Sequence, residues 1–195
     1  MFSKNDIIVV ILAGGIGKRL RPLSNKIIKS LLPIGPLPII HHIVNNFIES
    51  GFSKFLILIG HRGESLKNYF SKFPKIEISY VNQPEQIGMA DAVLKSAEYI
   101  KVNLLAKSKF NFFVSASDIL LTPSQINQLY NFYQRSNADI ILSLIKSYDD
   151  RIAQGHANVA FNKKFNGNYQ NKSIIGLKIS KIIEKPKKEN ILSPY

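Results

Sequence analysis

One change of character constrains this chain more than any other feature. Residues 7–12 form an unbroken apolar, mostly β-branched run, and glycines follow directly at positions 14, 15 and 17. A short apolar run bounded by glycine reads as a buried strand, so from Ala13 the chain leaves the C-terminal edge of a sheet. Ligands of open α/β sheets sit at that edge. Gly14, Gly15 and Gly17 lack a Cβ, which lets their backbone N–H groups come close to a bound group. Lys18, Arg19 and Arg21 add positive charge beside those donors, and the combination suits a polyphosphate. A plain glycine turn carrying solvated basic side chains is the competing reading of the same residues.

Two familiar phosphate loops are excluded. The Walker A pattern needs Ser or Thr after Gly-Lys, but Arg19 follows Lys18 and Leu12 stands where the upstream glycine belongs. A dinucleotide fingerprint starting at Gly15 has Leu20 in place of its third glycine, and Pro22 interrupts the helix that should receive the pyrophosphate.

The rest of the chain alternates strand-like and helix-like stretches. Pro38 is expected to open a helix whose apolar stripe is Ile40, Ile43, Val44 and Phe47, with Gly51 ending it. Residues 55–59 read as a second strand, followed by a helix bearing Leu66, Tyr69 and Phe70, and residues 76–81 as a third. A stripe at Ala90, Val93, Leu94 and Ala97 marks another helix, and residues 110–114 a fourth strand. Thr122 and Pro123 are a natural N-cap and first helical residue for a helix with Ile126, Leu129, Tyr130 and Tyr133, and residues 138–145 read as a fifth strand. This alternation argues for a largely parallel sheet covered on both faces. From Ser147 the pattern turns polar and resembles a β-hairpin, with alternation at Ile175, Leu177 and Ile179 that slips at Lys181, where a bulge fits. His41 and His42 diverge by about 100° on a helix, so they are read as surface or rim residues and not as a metal pair.

Composition narrows the setting. The chain has no cysteine, which removes disulfides, thiolate metal sites and cysteine nucleophiles, and a cytoplasmic location is expected. The N-terminal apolar run is too short to span a bilayer, so neither a signal peptide nor a membrane partner is read from it. A net charge of +13 would attract any polyanion, but the basic residues are scattered and lack interleaved aromatics, so nucleic acid is not the expected partner.

Four stretches then come together in order. Residues 12–24, LAGGIGKRLRPLS, followed by KSLLPIGPLPII, QPEQIGMADAV and IIEKP, resemble the signature of the sugar-1-phosphate nucleotidylyltransferases. That family includes glucose-1-phosphate thymidylyltransferase and mannose-1-phosphate guanylyltransferase. The resemblance implies a Rossmann-like, three-layer α/β fold with a mainly parallel central sheet and an antiparallel extension on the sugar side. It implies one nucleotidyltransferase domain over residues 1–195, cut short before an Asn-Ala-Gly segment and a second metal-binding aspartate.

The reaction it implies is attack by a hexose 1-phosphate, glucose 1-phosphate being expected, on the α-phosphorus of a nucleoside triphosphate, with Mg²⁺. Such transfer depends on positioning and charge neutralisation. By resemblance, Leu12, Ala13, Gly14, Gly15 and Gly17 hold the nucleotide, Arg19 neutralises the departing pyrophosphate, and Lys29 meets the reacting phosphates. Gln83 and Gly88 receive the base, Asp118 holds the metal, and Glu184 and Lys185 bind sugar hydroxyls and sugar phosphate. Three departures stand out: Ile28 where the family has proline, Met89 where it has threonine, and Ser117 where it has glycine. A catalytically incomplete relative acting as an interaction module, as in translation initiation factor subunits, is the alternative. A homo-oligomer is compatible with either.

Overall fold

The computed structural model describes residues 3–85, 88–104, 110–136, 138–143, 157–169, 172–184 and 187. The chain divides into two compact units, Met1–Ala138 and Asp139–Tyr195.

The first unit is built on a parallel sheet. The apolar run becomes β1 (Ile8–Ala13), which pairs with β4 (Lys54–Ile59) on one side and β6 (Phe112–Ala116) on the other. The strand β5 (Glu77–Asn82) extends the sheet beyond β4, giving the order β5-β4-β1-β6. All of these pairings are parallel. A minor antiparallel pair, β2 (Pro33–Ile34) and β3 (Leu37–Pro38), turns at Gly35 with φ of +64°.

Side chains alternate across β1 and supply two cores. Val9 and Ile11 face one way, among Ile40, Ile43 and Phe47 of α1 (Ile39–Glu49), Leu66 and Phe70 of α2 (Glu64–Phe70), and Ile126 of α4 (Pro123–Arg135). Ile8 and Val10 face the other way, with Leu56 and with Ile100, which follows α3 (Met89–Tyr99). Helices on both faces, with the two inner strands β1 and β4 almost wholly buried, are what a parallel sheet requires.

Several expectations change. The helix expected from Pro38 begins one residue later, with Pro38 as its N-cap, and Gly51 follows its end at φ +88° as anticipated. The stripe proposed for α3 is not its buried face: Ala92 and Ser96 are buried, while Ala90 and Leu94 are exposed. Small residues let this helix lie close to the sheet, and the Ser96 hydroxyl is satisfied by the Ala92 carbonyl at 2.8 Å. His41 is buried, not at the surface; it stacks with Phe70 and meets Phe73 and Tyr69 edge-on, sharing a 2.8 Å hydrogen bond with the Tyr69 hydroxyl. The fourth strand runs two residues further along than read, because its end pairs with Leu12. Of the fifth expected strand, residues 138–143 form no strand and the remainder lies outside the described residues.

In the second unit, β7 (Ala157–Tyr169) and β8 (Lys172–Glu184) form an antiparallel pair. Ala160 pairs with Lys181, Phe161 with Ile179 and Lys163 with Lys178, so Ser180 on β8 and then Asn162 on β7 each fall out of the register. The bulge falls beside Lys181, where the alternation slips.

Candidate functional site

The order β5-β4-β1-β6 reverses direction at β1: the chain moves outward through β4 and β5, then returns to place β6 on the other flank. The C-terminal ends of β1 and β6 therefore flank a topological switch point, where an open parallel sheet leaves a crevice. The glycine loop leaves one end and Asp118 the other. The Ser117 N–H donates to the Leu12 carbonyl at 3.3 Å, which ties the two exits together. Ser117 takes its place without a left-handed backbone, since Arg62 is the sole non-glycine residue with positive φ among those described. A serine in place of glycine thus costs the turn nothing in backbone angle.

Each glycine of the loop has a distinct role. Gly14 is buried, and a Cβ there would lie 3.2 Å from both Gln83 Oε1 and Leu58 Cδ2. At Gly15 a Cβ would meet none of the described residues within 4 Å. Gly17 is left-handed at φ +67° and precedes a 3₁₀ turn, Lys18–Leu20, on which Lys18 and Arg19 are exposed. The Ser24 hydroxyl donates to the Gly17 carbonyl at 2.9 Å and holds the loop from behind.

Lys29 lies against this loop, its Cβ 3.3 Å from where a Gly17 Cβ would stand. It opens a short 3₁₀ turn, Lys29–Leu31, with Ile28 before it at φ −64° and ψ 143°. That φ is the one a proline's ring would impose, and the ψ is one that proline readily adopts, so the backbone expected of the proline persists without it. The Lys29 ammonium forms an ion pair with Asp118 Oδ2, and both side chains remain partly exposed. Gly17, Lys29 and Asp118 are thereby brought together.

A second group gathers at the end of β5. Gln83 is buried at 4% exposure, its N–H donating to the Ile59 carbonyl at 2.8 Å. Its amide nitrogen donates to Asp91 Oδ2 at 2.7 Å and to the Gly88 carbonyl at 3.3 Å. Gly88 holds φ of +129°, a conformation favouring glycine, and a Cβ there would meet none of the described residues within 4 Å. Lys95 lies 3.3 Å from the same Asp91 oxygen. The hydrogen bond from Gln83 and the nearby Lys95 hold the Asp91 carboxyl below its ordinary range, against some desolvation.

Glu184 ends β8 opposite Ala157 in the second unit, and Lys185 lies outside the described residues. Among the described residues no cluster of three or more His, Cys, Asp or Glu could hold a metal by itself. Asp118 offers one exposed carboxylate, which fits Mg²⁺ bound mainly through substrate phosphates and water.

Sequence reasoning missed Asp91 and the turn after β4. Gly60 packs so tightly that a Cβ would lie 2.6 Å from the Gly14 carbonyl. Arg62, at φ +64°, donates through Nη1 to the Asn25 carbonyl at 2.5 Å. With His61, Ile16 and Ile28 it lines a cleft of ≈ 240 Å³ beside Gly15. The signal was present in the two glycines of Gly60-His-Arg-Gly63, placed at the same sheet edge as the loop after β1.

The sequence profile described as Nucleotidyl transferase matches residues 8–193. The chain is 30% identical over 184 residues to the bifunctional protein GlmU of Methanococcus maripaludis strain S2, covering 94% of this chain and 37% of that protein. It is 32% identical over 141 residues to the mannose-1-phosphate guanyltransferase of Yarrowia lipolytica, covering 70% and 37% respectively. The chain thus spans little more than a third of the length of these curated relatives. Among solved structures, a UDP-glucose pyrophosphorylase complexed with UDP-glucose superposes with a TM-score of 0.74 at 24% identity, over 96% of this chain and 72% of that one.

Proposed function

This chain belongs to the nucleotidyl transferase family, and from that premise we propose that it transfers a nucleotidyl group from a nucleoside triphosphate to a hexose 1-phosphate. Glucose 1-phosphate is the acceptor this reading favours. The observation that carries it is the convergence of Gly17, Lys29 and Asp118 at the switch point between β1 and β6. That crevice combines backbone donors, cations and one carboxylate, the set that phosphoryl chemistry requires.

In the reaction, a phosphate oxygen of the sugar phosphate forms a bond to the α-phosphorus while the bond from that phosphorus to the bridging oxygen breaks, and pyrophosphate leaves with the electron pair. The space that the described residues leave at Gly15 gives the triphosphate access to the loop backbone. Arg19, exposed on the turn after the loop, neutralises charge on the departing pyrophosphate. Lys29 meets the phosphates as a compact cation, exchanging its carboxylate partner for them. Asp118, so released, would hold Mg²⁺, which supplies charge neutralisation to the phosphate oxygens when bound. Glu184 and Lys185 are assigned to the sugar and its phosphate, and Gln83 and Gly88 to the base.

Arg19→Ala and Lys29→Ala are each expected to slow nucleotidyl transfer by roughly a hundredfold or more, through loss of charge stabilisation in the transition state. Pyrophosphate release from a nucleoside triphosphate and glucose 1-phosphate measures this. Unchanged turnover in both variants, with native circular dichroism, defeats the assignment. Failure of the wild-type chain to bind any nucleoside triphosphate favours the interaction-module alternative.

A further inference from the structure

The Gln83 amide has a fixed direction. Its nitrogen carries two hydrogens, and its two partners, the Asp91 carboxylate at 2.7 Å and the Gly88 carbonyl at 3.3 Å, can only accept. Turning the amide end for end would set its oxygen against two others, one of them charged. The oxygen therefore lies on the opposite side, toward the glycine loop, 3.2 Å from where a Gly14 Cβ would stand. Asp91 is itself held: it sits in the first turn of α3, and Lys95, one turn on, lies 3.3 Å from the oxygen that receives Gln83.

We propose that Asp91 is a positioning residue for base selection: by holding the Gln83 nitrogen it presents Gln83 to the base as an acceptor only. An acceptor matches uracil and thymine, whose ring N3 carries a hydrogen. It opposes cytosine, whose N3 is a lone pair. A free glutamine amide could serve either base by rotating through 180°, and the Asp91 carboxylate removes that freedom. The proposal rests on the reading of Gln83 as the base contact.

Calorimetric affinities for Mg-UTP, Mg-dTTP and Mg-CTP test it without requiring turnover. The wild-type chain is expected to prefer UTP and dTTP over CTP by about tenfold, the scale of one hydrogen bond made or lost. Asp91→Ala should reduce that preference severalfold by strengthening CTP binding relative to UTP, and Asp91→Glu should restore it. Asp91→Asn, which keeps the shape but offers either end of an amide, provides the same readout should the alanine variant fail to fold. Gln83→Ala should erase the preference.

A proportional loss for all three nucleotides in the Asp91 variants, with Gln83→Ala still erasing the preference, would show Asp91 to be structural and overturn the proposal while sparing the base contact. A preference unmoved by Gln83→Ala overturns both. A wild-type preference for CTP overturns the acceptor assignment directly.

Discussion

A Cβ is welcome at Gly15 and resisted at Gly17, although the two stand in one loop. At Gly17 the backbone is left-handed and a Cβ would press on Lys29 and Ser24 at 3.3 and 3.4 Å, whereas at Gly15 it would meet none of the described residues within 4 Å. Gly17→Ala is therefore expected to cost about 1–2 kcal/mol of stability. Gly15→Ala should change stability by no more than about 0.5 kcal/mol, yet weaken nucleotide binding by about 1–3 kcal/mol where the ligand needs that space. Urea unfolding beside nucleotide titration separates the two, and equal effects on stability would contradict the loop geometry.

His41 carries a dependence on pH. Burial, and secondarily the neighbouring His42, lowers its pKa from the ordinary 6.5, so the folded chain takes up this proton less readily than the unfolded chain. The unfolded chain takes up a proton as pH falls below 6.5, while the folded chain does so only at lower pH. Its contribution to stability is therefore complete above 6.5 and declines as pH drops through the interval between the two values. Unfolding free energies at pH 8 and pH 5 should differ less in His41→Phe than in the wild type. Its neighbour in sequence, His42, stays at intermediate exposure, and nothing local distinguishes the two. The rings that enclose His41 come from residues 69–73, so its burial is a tertiary fact beyond the reach of helical periodicity.

Among the elements, α4 is the one whose beginning is written most completely in its residues. Thr122 accepts from the Gln125 N–H at 3.3 Å, the Gln125 side chain accepts from the Thr122 N–H at 2.9 Å, and Pro123 occupies the first turn. Thr122→Ala removes the cap and should cost about 1 kcal/mol, read as a fall in the unfolding midpoint. By contrast, α3 begins at Gly88 with no side-chain cap. Its apolar pattern misled because Leu94 is exposed while Ser96 is buried, the close approach to the sheet favouring small residues over large ones. The bulge in β8 was legible because an unpaired residue shifts strand alternation by one position, and that shift is written in the sequence.

Across the whole molecule, the parallel sheet and its glycine edge were legible because buried parallel strands are short apolar runs and their exits are marked by glycine. The pairing of Lys29 with Asp118 was not, since both signals are single charged residues and only the return of β6 to the flank of β1 brings them together. That return has a consequence for how the protein is made. The strand β1 is synthesised first, yet its neighbours arrive in turn, Lys54 opposite Ile8 and only later Phe112 on the other side. At ordinary translation speeds the interval between β1 and β6 is on the order of ten seconds. For that time the most apolar strand of the sheet keeps an open edge, and slowing the ribosome between the two should increase the chain's loss to aggregation.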